Sequence, residues 1–150
     1  MHNVAIACQG GGSHTAFTAG VLAELLPWVE DEECRLVGMS GTSGGAVCGT
    51  AAWAAFLAAG ADGAVESLDA LWDDVSSTGP MDAWLNQLLV WNTRAKNSGA
   101  PLPSVSPYQV PFDDVGKREF RRTLERHVDF DGLADLVDED SPRMIVGTVD

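Results

Sequence analysis

Short apolar runs alternate with helical periodicities along this chain, and the alternation predicts strands and helices in turn. Val4 to Cys8 is a brief apolar run stopped by Gly10, Gly11 and Gly12, as a buried strand would be. Phe17, Val21, Leu25 and Trp28 then recur at helical spacing, with Ser13 or Thr15 placed to cap the helix and Pro27 expected to end or kink it. The acidic stretch that follows reads as a surface loop. Leu36 to Met39 is a second short strand, running into Gly41-Thr42-Ser43-Gly44-Gly45. From Gly44 to Ala59 the chain is alanine-rich and apolar on nearly every side, the pattern of a helix covered by its neighbours.

Val65, Leu68, Leu71, Trp72 and Val75 predict another helix, with an acidic outer face at Glu66, Asp69, Asp73 and Asp74. Gly79-Pro80 breaks it, and a further segment carries Trp84, Leu85, Leu88, Leu89 and Trp91. Pro101, Pro103, Pro107 and Pro111 mark an extended connector. A short charged helix follows, with Phe120, Leu124 and Val128 inward, and Met144 to Val149 reads as a third strand. Strands alternating with helices in this order predict an α/β fold with a mainly parallel sheet. Ligands of such sheets bind at the carboxyl ends of the strands, where both glycine-rich turns fall.

At 150 residues there is material for one domain, and 45% apolar with 21% charged residues is ordinary for a soluble globular protein. The charge is not ordinary. A net charge of −13 argues against a nucleic-acid partner, because phosphate binding needs accumulated Lys and Arg. Lys117, Arg118, Arg121, Arg122 and Arg126 crowd one segment and read as a solvated helix face, with contact to anionic lipid or to the protein's own acidic surface as the sharper alternative. Cys8, Cys34 and Cys48 show no metal-ligand or disulfide spacing, so they read as reduced thiols, and no metal or other cofactor is expected. The N-terminus lacks a basic segment and its apolar run is short, so no signal peptide is read and a cytoplasmic location is expected. The uncharged span between Arg35 and Asp62 begins with a turn-forming sequence, so it reads as a buried core helix rather than a membrane span.

A serine hydroxyl becomes a useful nucleophile when it is exposed, oriented and next to a base. A sharp strand-to-helix turn supplies exposure and orientation if its flanks are bare. Gly41 and Gly45, two residues either side of Ser43, meet that need in a G-x-S-x-G nucleophile-elbow pattern. The helix beginning at Gly44 would aim N–H groups and its positive dipole end toward the serine. Gly10, Gly11 and Gly12 offer further unobstructed N–H groups for an oxyanion, each such donor worth roughly 3 kcal/mol in comparable sites. Together the two turns predict acyl chemistry on an ester.

The stretches "GGGSHTAFTAGVLAEL" and "GTSGGAV" resemble the opening of the patatin-like phospholipase family, specifically over residues 4–50 and loosely beyond. The resemblance implies a three-layer patatin-like sandwich and lipid acyl hydrolysis by a Ser-Asp dyad, with Ser43 as nucleophile and Gly10, Gly11 and Gly12 as the oxyanion loop. It also implies a lipid or ester substrate, with peripheral contact at a membrane. His14 and Thr15 stand where the family usually has Arg and Gly. The family's Asp-containing D-G-G or D-G-A motif is not found; Asp131 reads as structural and Asp150 is not favoured as the base. The chain is therefore expected to be the N-terminal portion of a single patatin-like domain, incomplete at its C-terminus, with the dyad Asp unassigned. An open sheet would favour self-association.

An acyltransferase of related architecture and an inactive interaction protein are the alternatives to a hydrolase. A Ser-His-Asp arrangement would need His127, which reads as an exposed helix histidine without an orienting carboxylate. His14 reads as a polar residue at a helix start. The glycine triplet matches neither nucleotide-binding fingerprint. Trp84 and Trp91 are expected either to pack in the core or to cover an acyl-chain cleft.

Overall fold

The structure is a computed structural model that describes residues 2–11, 14–31, 34–76 and 113–148. The segment with Trp84 and Trp91, the proline-rich connector, Gly12, Ser13 and Asp150 lie outside the described residues. Strand β1 spans His2–Cys8, helix α1 Thr15–Asp31, β2 Cys34–Thr42 and α2 Gly44–Ser76. After them come α3 at Asp113–His127, a one-turn α4 at Leu133–Leu136 and β3 at Arg143–Gly147. The described strands form a parallel sheet in the order β1-β2-β3, as the alternating pattern predicts.

The register explains how β2 buries residues that strict alternation would separate. Val4 pairs with Leu36, but Ala5 pairs with Gly38, so the ladder shifts at Val37. One extra residue there turns both Leu36 and Met39 inward, three positions apart, while Val37 is left exposed. Val4, Ile6, Cys8, Leu36, Met39 and Met144 thereby present one sheet face to α1 and α2. Ala5, Ala7 and Ile145 are exposed, so among the described residues the helices cover one face of the sheet.

Helix α1 forms where expected, but the face differs. Phe17, Val21 and Trp28 are exposed, at 80%, 42% and 51%, while Ala19, Leu22, Leu26 and Val29 are buried. Apolar residues surround much of this helix, and the side that is buried joins one core cluster with Ala61, Ala64 and Leu68 of α2. Pro27 does not end the helix, which continues to Asp31.

The two helices expected after Ser43 are the halves of α2, divided at Ala59 and Gly60. Gly60 has φ 69° and ψ −161°, a region open essentially to glycine alone. The Ala61 N–H at the start of the second half donates to Glu30 Oε2 of α1, at 3.3 Å. Gly60→Ala is therefore expected to cost about 1–3 kcal/mol, seen as a lower thermal midpoint; an unchanged midpoint would mean that the bend can relax. By length and composition α2 could cross a membrane, yet 50% of its most apolar window is buried inside the fold.

Helix α3 is held to α2 from two sides. Val128, 2% exposed, packs with Ala51, Ala54 and Leu71. Asp74 accepts hydrogen bonds from Arg126 Nη1 at 3.1 Å and pairs with His127 Nε2 at 3.1 Å. Asp74 and His127 differ from the sequence expectation. Asp74 faces α3 rather than the acidic outer surface, and the His127 side chain is 13% exposed with a carboxylate beside it. The two residues are far apart in sequence, so local spacing does not reveal the pairing. Trp53 Nε1 donates to the Pro142 carbonyl at 2.6 Å and fixes the start of β3 against α2.

Candidate active site

The carboxyl end of β2 turns directly into α2, and Ser43 occupies the turn. It has φ 52°, the sole non-glycine residue with positive φ among the described residues. That conformation costs an L-residue about 1–2 kcal/mol, so it persists because the surroundings impose it. The imposition comes from the flanking glycines. A Cβ on Gly41 would lie 2.6 Å from Ala46 Cα and from the Gly45 carbonyl oxygen; one on Gly45 would lie 2.5 Å from the carbonyl oxygens of Cys8 and Gln9. Only hydrogen fits at either place, so the start of α2 is pressed onto the end of β1. Ser43 itself is exposed.

Gly10 meets Ser43 across this contact. A Cβ there would fall 2.8 Å from the Thr42 carbonyl oxygen and 3.1 Å from Ser43 Cβ. Gly11 differs, since its nearest neighbours would be His14 Cβ at 3.5 Å and Thr15 Cγ2 at 4.0 Å, which is ordinary contact. The His14 N–H donates to the Gly11 carbonyl at 3.1 Å and closes the loop into α1. On the helix side, Ala46 and Val47 both donate to the Ser43 carbonyl, at 2.9 and 3.2 Å. The N–H groups of Gly44 and Gly45 precede the first carbonyl that a helix could offer them, leaving two donors at the positive end of α2.

Beside Ser43 lies a cavity of about 350 Å3. Ala46, Val47 and Thr50 from the first turns of α2 form one wall, and Val146 and Gly147 from β3 form another. Leu124 of α3 and Phe130 of the following turn close it. Helical spacing places Leu124 inward, whereas Phe130 and Val146 come to the cavity beside Ser43 only through the fold, and no local pattern signals them. The lining is apolar apart from Ser43 and Thr50, so the cavity suits a hydrocarbon chain attached to a group at Ser43.

Under the elbow, burial pushes the Cys8 thiol up, and the neighbouring Cys48 adds to this. Burial likewise pushes Cys48 up, against the opposing hydrogen bond to Thr15. Its Sγ–H donates to the Thr15 carbonyl at 3.6 Å. Both thiols stay protonated and packed, so neither competes with Ser43 as a nucleophile.

Of the expected residues, Gly10, Gly41, Ser43 and Gly45 are brought together, Gly11 sits one step away, and Gly12 lies outside the described residues. Asp131 is exposed in the turn after α3 and does not line the cavity beside Ser43. No curated protein and no solved structure matches the chain. The profile of the Patatin-like phospholipase family matches residues 6–145, from β1 through the elbow to β3, and the chain belongs to that family.

Proposed function

We propose that the protein is a serine-dependent lipid acyl hydrolase in which Ser43 is the nucleophile. Membership of the patatin-like phospholipase family supports lipid acyl hydrolysis in general. The observation that carries the finer reading is Ser43 at φ 52° between two glycines that admit no Cβ, at the edge of an apolar cavity. Ser43 Oγ attacks the ester carbonyl, the proton passing to a base, and the carbonyl oxygen becomes an oxyanion. The N–H groups of the Gly10–Gly11 loop, with Gly12 as its continuation, and those opening α2 are the donors for that charge. The alcohol leaves, the acyl chain stays on Ser43 with its tail in the cavity, and water releases it. The base is an Asp by family resemblance and is not assigned to a residue.

The substrate is a lipid ester, of phospholipid, lysophospholipid or simpler type, met at a lipid surface. Phe17, 80% exposed near the start of α1, supports such contact. A fluorophosphonate probe tests the reading. One phosphonyl group mapped to the peptide carrying Ser43 is expected, and reaction elsewhere or nowhere would overturn it.

A further inference from the structure

We propose that Phe130, together with Leu124, is the partition that sets the length of acyl chain the enzyme accepts. The proposal rests on the reading of Ser43 as nucleophile. Two cavities share Leu124 and Phe130 as wall residues. The one beside Ser43, about 350 Å3, is apolar. The other, about 780 Å3, has a mixed lining, the charged Arg121, Glu125, Arg126, Asp129 and Asp131 beside the apolar Val128. An acyl chain running from Ser43 therefore meets hydrocarbon walls up to Phe130 and a mixed, charge-bearing lining beyond it.

That change of lining converts into a length limit. Each methylene moved from water into the apolar cavity gains roughly fourfold in binding. Past the partition the gain per methylene falls. Arg121 Nε is engaged with Glu125 Oε1 at 2.6 Å, and Arg126 with Asp74 at 3.0 Å. A methylene entering there would displace water from charged groups, and that cost offsets the gain of its apolar contacts.

The position of Phe130 is fixed while its ring is free to project. Val128 is buried two residues before it, the Phe130 N–H donates to the Val128 carbonyl at 3.1 Å, and Asp129 Oδ1 accepts from the Gly132 N–H at 3.0 Å. The side chain remains 48% exposed. A pinned backbone carrying an unburied aromatic ring between two cavities is the arrangement of a specificity-determining residue, and removing the ring joins the cavities.

The test is kcat/KM of the full gene product across a homologous series of p-nitrophenyl esters from acetate to palmitate. The unaltered protein is expected to rise with chain length and then break off. Phe130→Ala moves the break to longer chains and Phe130→Trp moves it to shorter ones; the readout is the position of the break, not the absolute rate. Should the Ala variant fold poorly, the Trp variant carries the test alone, because it fills space rather than emptying it. A break that stays in place in the folded variants overturns the partition, with the nucleophile untouched. No turnover of any ester by the unaltered protein overturns the nucleophile reading, and the partition falls with it.

Discussion

If Ser43 is the nucleophile, as proposed, Ser43→Gly is expected to abolish ester hydrolysis and yet to raise the thermal midpoint. The hydroxyl is the only group at this position that can bond to the acyl carbon, and removing a catalytic nucleophile from comparable hydrolases costs about 10⁴–10⁶-fold in kcat. The stability change has a different cause. At φ 52° any L-residue is held in the left-handed region, while glycine occupies it freely. Glycine also gains freedom in the unfolded chain, which offsets about 0.4–1 kcal/mol of the relief. The net expectation is a gain of up to about 1.6 kcal/mol, at roughly 2–4 °C per kcal/mol. Ser43→Ala separates the two effects, because it removes the hydroxyl while retaining a Cβ at positive φ. It should lose activity as completely and melt within about 0.5 kcal/mol of the unaltered chain. Calorimetry and ester turnover on the three proteins decide it. Retained turnover in Ser43→Ala overturns the nucleophile, and a lower midpoint in Ser43→Gly overturns the strain.

A serine held at positive φ, where glycine would be less strained, fits the proposed role of Ser43 as nucleophile. It was legible in the sequence because its causes are local: Gly41 and Gly45 are within two residues of Ser43. The β1-α1-β2-α2 order was legible for a similar reason, since periodicity and glycine punctuation act over a few residues. What depends on assembly was not. Periodicity located the α1 helix but not its buried side, because apolar residues lie both at Phe17, Val21 and Trp28 and at Leu22, Leu26 and Val29. Pro27 removes one hydrogen bond from α1, and the packing of Leu26 and Val29 on either side carries the helix past it. Asp74 and His127, or Ser43 and Phe130, meet only after the chain has turned back on itself. The three glycines of the first loop look equivalent in sequence, yet Gly10 touches the elbow and Gly11 does not.

Gly45→Ala turns that difference among glycines into the second large effect. The added methyl would stand 2.5 Å from the carbonyl oxygens of Cys8 and Gln9 and 2.8 Å from the Cys8 carbonyl carbon. These are backbone atoms at the end of β1, so no side-chain rotation relieves the clash. Either the start of α2 lifts from β1 or the end of β1 shifts in the sheet. Overpacking ordinarily costs about 1–3 kcal/mol, and two backbone clashes at one position put this variant at about 3 kcal/mol or more. Activity falls further than stability alone requires. Both relaxations move Ser43 away from Gly10, and a misplacement of about 1 Å between reacting groups costs about 10²-fold. Gly11→Ala is the control, because its methyl would meet side-chain carbons no closer than 3.5 Å and is expected to stay within about 0.5 kcal/mol. Turnover measured well below the melting transition separates the two contributions. A folded Gly45→Ala with full activity would mean that the contact between α2 and β1 does not position the serine. Equal loss in Gly11→Ala would mean that the first loop acts through all its glycines rather than through the close approach at Gly10.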